Sequence, residues 1–183
     1  GYSPEVISSD ALNYEISTYS DLSTAYAWSY RDRGHLMYAL TFPSDTKTWV
    51  FDGKTQMWHE RGYWAATNEF EHDLTQHCIS YKNLDLATSR IDGKVYIMDP
   101  NKYKDYETII RRVRTTQHFK NEVELIGIDS LELHLETGKG LVTGQGSDPQ
   151  IMMRYSNDGG YTWSHELTES IGPIGNYGTR VRW

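Results

Sequence analysis

His72, Asp73 and His77, with Glu60, Glu69 and Glu71 nearby, are the residues whose types could hold a metal ion or move protons. A helical metal pair needs histidines at i and i+4, so that both project from one face. His72 and His77 are five apart, and in a strand an odd separation sends them to opposite faces. Only a loop would unite His72, Asp73 and His77, so the expectation is of solvated loop residues and no metal site. His59 and Glu60 follow Trp58 and read as a strand end beside a packed ring. An acidic-sugar hydrolase would need three arginines converging on a carboxylate and a Tyr–Glu nucleophile pair. Arg111, Arg112, Arg114, Arg154, Arg180 and Arg182 supply the charge, but only "SRIDG" at 89–93 approaches a recognisable arginine signature. The stretch "ETGKGLVTGQGS", 136–147, has phosphate-loop glycines without the Gly-Lys-Ser/Thr ending or a following helix. No catalytic residue and no cofactor is expected.

The elements around these residues read mostly as strands. Fourteen Tyr and six Trp, with 13% aromatic content overall, favour strands over helices. "SSDALNYEISTY", 8–19, is the exception: Ser9 or Asp10 can cap a short helix with Leu12, Ile16 and Tyr19 on one face. "AYAWSYRDRGHLMYALTF", 25–42, alternates on both sides of "RDRG" as a hairpin does. "KTWVFDGKTQMWHER", 47–61, and "LATSRIDGKVYIMDP", 86–100, each place an Asp-Gly-Lys turn between alternating runs. "NEVELIGIDSLELHLETGKG", 121–140, alternates as well, with Leu131, Leu133 and Leu135 on one face. A last tight hairpin is expected at 150–167, "QIMMRYSNDGGYTWSHEL". Hairpins recurring at this spacing predict an all-β fold of β-propeller blades, with one short N-terminal helix. The whole of 1–183 is read as one such domain or a piece of one, because "GYSPEVISSD" begins as if mid-protein.

Charge and length exclude several functions. A net charge of −7 argues against a surface that grips phosphate generally. The most basic stretch, "IIRRVRTTQHFK" at 109–120, alternates as a half-exposed strand face would. No apolar run approaches the roughly 20 residues that cross a bilayer. The single Cys78 excludes an internal disulfide and a cysteine-rich zinc site.

"SNDGGYTWS", 156–164, contains Ser156-x-Asp158-x-Gly160-x-x-Trp163. This resembles the Asp-box of sialidase-type and other propellers. The Ser156 and Asp158 side chains can hold the turn closed through backbone groups, and Trp163 is expected on the second strand, filling a wedge between sheets. In Asp-box proteins the motif lies at blade turns away from the active site, so the resemblance implies a structural role for Ser156, Asp158, Gly160 and Trp163.

The resemblance extends along the chain. A Gly144–Gln150 run "GQGSDPQ" precedes the box, and Gly172, Ile174, Gly175, Tyr177, Arg180, Val181 and Trp183 follow it in order. With "YALTFPSDTKTWVFDGKTQMWHERG", 38–62, and "DGKVYIMDP", 92–100, these are similar to the packaged-DNA stabilisation proteins of short-tailed P22-like phages and their prophage relatives. Phe51 stands for a family tyrosine and Pro173 for a family lysine. The resemblance implies a virion tail hub, made in the bacterial host cytoplasm and carried at the tail or neck. It would bind below the portal and adaptor rings and close the DNA channel after packaging. There it would meet the tail needle and tailspikes in a symmetric homo-oligomer, with no membrane and no sequence-specific nucleic acid. The competing reading is a carbohydrate-binding or sialidase-like Asp-box propeller, with Trp58, Tyr63, Trp64 and Tyr103 as candidate stacking rings.

Overall fold

A computed structural model describes residues 3–65, 70–105, 107–119 and 126–183. Glu69 and residues 120–125 of the expected alternating strands lie outside these. The chain is mostly β with one short helix, and it divides into two compact units, Gly1–Val113 and Arg114–Trp183.

In the first unit, helix α1 spans Asp10–Ser17, and the Leu12 amide donates to the Ser9 hydroxyl at 3.3 Å. Strands β1 (Tyr26–Asp32), β2 (His35–Phe42), β3 (Lys47–Asp52), β4 (Met57–Trp64) and β5 (Phe70–His72) follow as an antiparallel meander. This sheet is curled into a half-barrel. The β1–β2 turn has Arg33 and Gly34 both at positive φ, 46° and 84°, which is the geometry a two-residue hairpin demands and which "RDRG" signals. A second sheet holds β6 (Thr75–Tyr81), β7 (Leu84–Ser89) and β8 (Val95–Met98).

Alternation sorts the side chains of the meander onto two faces. One face buries Trp28, Tyr30, Ala39 and Val50, with Tyr26, Met37, Cys78 and Met98 packed against them. Cys78 and Met98 belong to β6 and β8, so the two sheets close one core between them. The Thr41 and Thr48 hydroxyls, fully buried there, satisfy each other at 3.0 Å. On the opposite face the N-terminal segment acts as cover. The Trp49 indole donates to the Tyr19 hydroxyl at 2.8 Å and the Trp58 indole to the Ile7 carbonyl at 2.9 Å. Tyr19 meets Phe42 edge-on at 4.9 Å. β9 (Lys104–Asp105) and β10 (Thr108–Ile109) form a small ribbon at the end of the unit.

The second unit has two ribbons. β11 (Glu132–Leu133) pairs with β14 (Val181–Arg182), extended by reciprocal backbone bonds between Leu131 and Trp183 at 3.0 Å. β12 (Gln150–Met153) pairs with β13 (Leu167–Ser170), so the tight hairpin expected at 150–167 is instead a pair of strands joined by a long loop, 154–166, whose side chains bond within the loop.

The expected helix and the hairpins at 25–42, 47–61 and 86–100 are present. Repeated propeller blades are not what the strands show. The described residues form sheets of five, three, two, two and two strands, not a series of four-stranded blades. Hairpin spacing is a local signal, whereas the number of hairpins joined into one sheet depends on long-range pairing. Residues 110–119 form no strand among those described, and the run to 140 keeps only β11. β6 was not anticipated, because the acidic, histidine-bearing stretch before it masks its alternation. Among the described residues no helix is long and apolar enough to cross a membrane.

Candidate functional site

The acidic and histidine residues around position 72 do not converge. His72 ends β5, Asp73 follows it, and His77 lies on β6. Glu60 pairs with Lys47 at 2.8 Å, and Glu71 pairs closely with Arg90. Burial, reinforced by the Arg90 charge, holds the His72 imidazole below its usual range. Among the described residues no group of three His, Cys, Asp or Glu is placed to hold a metal.

Structure instead assembles a buried charge cluster that periodicity did not reveal. Arg61 on β4 projects from the core face, and its Nε meets the Asp73 carboxylate at 2.5 Å. Its Nη1 donates to the Tyr30 hydroxyl at 2.9 Å, and its guanidinium lies 5.8 Å from the Trp28 ring centre and 5.3 Å from that of Tyr30. Burial works against the guanidinium charge, but Asp73, Tyr30 and Asp105 raise its pKa above the ordinary value. Asp73 is only 2% exposed and also accepts from the Thr75 amide at 2.7 Å. Asp105, on β9, is shifted upward by burial, with Arg61 opposing and Asp73 adding to the shift. The Asp73 carboxylate is occupied with structure, as an anchor between Arg61 of β4 and the Thr75 amide of β6.

In the stretch Ser156–Trp163 the side chains are also committed to their own turn. The Ser156 hydroxyl donates to Asp158 Oδ1 at 2.8 Å and accepts from the Gly160 amide at 2.8 Å. Asp158 in turn accepts from the Thr162 amide at 2.9 Å and the Thr162 hydroxyl at 2.5 Å. Gly159 and Gly160 both sit at positive φ, 78° and 95°, where glycine carries no Cβ penalty. The bonds from Thr162, then from Ser156, pull the Asp158 carboxyl down to about 2. One expectation is corrected here. Trp163 precedes β13, in the loop, and is 45% exposed. The Arg154 guanidinium lies 5.8 Å from its ring centre, so the ring is half-covered by a neighbour and fills no wedge between sheets.

A pH prediction follows from this turn. A carboxyl depressed on folding adds stability above its unfolded pKa of about 3.9 and loses it as pH falls through the folded value. The turn should therefore hold at pH 4 and loosen toward pH 2. Proton exchange and chemical shift of the Thr162 amide should titrate near pH 2. A midpoint near 4, or the same titration in Asp158→Asn, would refute the Asp158–Thr162 bonds as its cause.

The two sequence segments that flank the box are side by side. The Ser170 hydroxyl donates to Asp148 at 2.5 Å, and the Ile171 amide donates to the Pro149 carbonyl at 2.9 Å. Gly172 has φ +85°, and a Cβ there would collide with the Thr179 side chain. Gly138, at φ +77°, likewise leaves no room beside the Tyr177 ring. Arg180 grips the Glu132 carboxylate with both Nε at 2.9 Å and Nη2 at 2.5 Å, tying the end of the motif to β11. None of the curated proteins matches the chain. The compact unit that begins at Arg114 nevertheless coincides with a known domain: residues 111–183 match the family described as bacteriophage P22 Gp10, beta-sandwich.

Proposed function

We propose that the chain serves in the tail hub of a short-tailed phage. It binds below the portal and adaptor rings, closes the DNA channel after packaging, and joins the tail needle and tailspikes in a symmetric assembly. The observation that supports this reading is the P22 Gp10 match over 111–183, which spans the compact C-terminal unit holding the Gly144–Gln150 and Gly172–Trp183 segments. The net charge of −7 suits a conduit that must release DNA. Ser156, Asp158, Gly160 and Trp163 are read as residues that hold a surface turn. The carbohydrate-binding alternative gains no comparable support: of its candidate rings, Trp58 donates to the Ile7 carbonyl, Tyr63 bonds with Thr108, and Trp64 and Tyr103 lie under the Arg111 and Arg112 guanidinium groups.

Immunogold electron microscopy of the cognate particles, with antibody raised against this chain, tests the proposal. Gold at the neck or tail is expected. Unlabelled particles, with the epitope reachable in detergent-disrupted samples, would remove the hub assignment.

A further inference from the structure

The loop 154–166 between β12 and β13 encloses a small cleft. Tyr155, Asn157, Asp158, Thr162, Trp163 and Ser164 line its volume of about 290 Å³. Two of these residues carry open aromatic rings, Tyr155 at 50% and Trp163 at 45% exposed. Arg154 lies over the Trp163 ring without lining the cleft, so it steadies the indole while nearly half of the residue stays open.

The polar groups of the cleft keep unused bonding capacity. The Thr162 hydroxyl gives its proton to Asp158, and its oxygen can still accept. The Ser164 hydroxyl donates to the His165 carbonyl at 2.9 Å and accepts from the Tyr155 amide at 3.1 Å, which leaves one lone pair. Asn157 is exposed, and the bonds that close the turn leave its side-chain amide unused. Open rings beside hydroxyl and amide groups suit a sugar: its C–H face stacks on an indole or phenol, and each of its hydroxyls both donates and accepts.

We propose that this cleft binds one neutral pyranose ring, with Trp163 as the platform, Asn157 donating to a sugar hydroxyl, and Thr162 and Ser164 accepting from others. Size and charge set the ligand class. The volume lies at the small end for small-molecule sites, enough for a single ring. Asp158 is ionised at neutral pH and forms part of the wall, so it repels a carboxylate-bearing sugar and tolerates a neutral one. Bonds among Ser156, Asp158, Gly160 and Thr162 fix the loop before a ligand arrives, so binding has little chain left to order. Trp58, Tyr63, Trp64 and Tyr103 take no part in this cleft. The site is independent of the hub assignment, which its failure would leave standing.

The test is two-dimensional NMR of the full chain, following the Trp163 indole and Thr162 amide signals. The titrants are glucose, galactose, mannose and N-acetylglucosamine, each free and as its methyl glycoside. A saturable shift with at least one of these is expected. Trp163→Ala should weaken it at least about tenfold, and Asn157→Ala several-fold. Asn157→Ala breaks no bond of the turn, so its Thr162 amide should keep the wild-type position, and weaker binding there cannot come from a collapsed loop. Equal binding of a methyl glycoside and its free sugar identifies the ligand as the end of a glycan; binding of the free sugar alone identifies a monosaccharide. No saturable shift with any neutral sugar overturns the proposal. So does wild-type affinity in Asn157→Ala, which decides the matter even if Trp163→Ala misfolds. Tighter binding of a methyl sialoside than of every neutral sugar overturns it equally.

Discussion

Trp28→Ala is expected to lower the unfolding free energy by about 3–5 kcal/mol, the range for deleting a buried tryptophan. The indole is 5% exposed, lies 5.0 Å from the Tyr30 ring, and packs in the core that both sheets of the first unit share. Its removal opens a cavity between two hydrogen-bonded sheets, which cannot collapse without breaking ladder bonds. It also strips one aromatic face from the Arg61 guanidinium. The indole N–H has no acceptor among the described residues, so the ring contributes through volume and carries the cost of a buried, unmet donor. Trp28→Phe should accordingly cost under about 1.5 kcal/mol, because it keeps most of the volume and removes that donor. Urea unfolding of both variants measures this. Equal losses for phenylalanine and alanine would show that volume is not what Trp28 supplies.

Asp73→Ala should cost about 3–4 kcal/mol, in the lower part of the range for breaking a buried ion pair. Asp73 is almost wholly enclosed, and its carboxylate binds both Arg61 and the Thr75 amide. Among the described residues, alanine would leave the guanidinium with the Tyr30 hydroxyl and the charge of Asp105. The loss stays below the extreme because 26% of the Arg61 side chain still reaches solvent. Replacing both partners distinguishes the pair from the packing around it. Arg61→Met combined with Asp73→Ala should recover part of the loss, since no orphaned charge remains. A double variant as unstable as the sum of the two single ones would mean that Arg61 and Asp73 act independently.

The hairpins were legible in the sequence because their causes are local. "RDRG" and the Asp-Gly-Lys turns supply the backbone angles a tight reversal needs, and alternation on both sides aligns Tyr30 with Met37 and Val50 with His59. Ser9 announced the helix in the same way, by capping Leu12. Ser156 and Asp158 were expected to bond within their own turn, and their bonds to the Gly160 and Thr162 amides are local in the same way, whereas the part played by the Thr162 hydroxyl was not anticipated.

Long-range pairing was not readable. Whether five hairpin-linked strands form one curled sheet or separate blades depends on contacts between residues far apart in the chain, and alternation alone is the same in both. Arg61 showed this most clearly. By sequence it is one more charge after "WHE", but the register of β4 turns it inward against Trp28, while the β5–β6 turn brings Asp73 to it. Trp163 is the converse case: its motif suggested a buried ring, and the loop before β13 leaves it half-exposed under Arg154. The sequence by itself determined turns, caps and the phage-like C-terminal motifs, because each arises from neighbours along the chain. Only the tertiary structure decided which charge is buried and which aromatic ring is open, since burial depends on what the rest of the chain places on top.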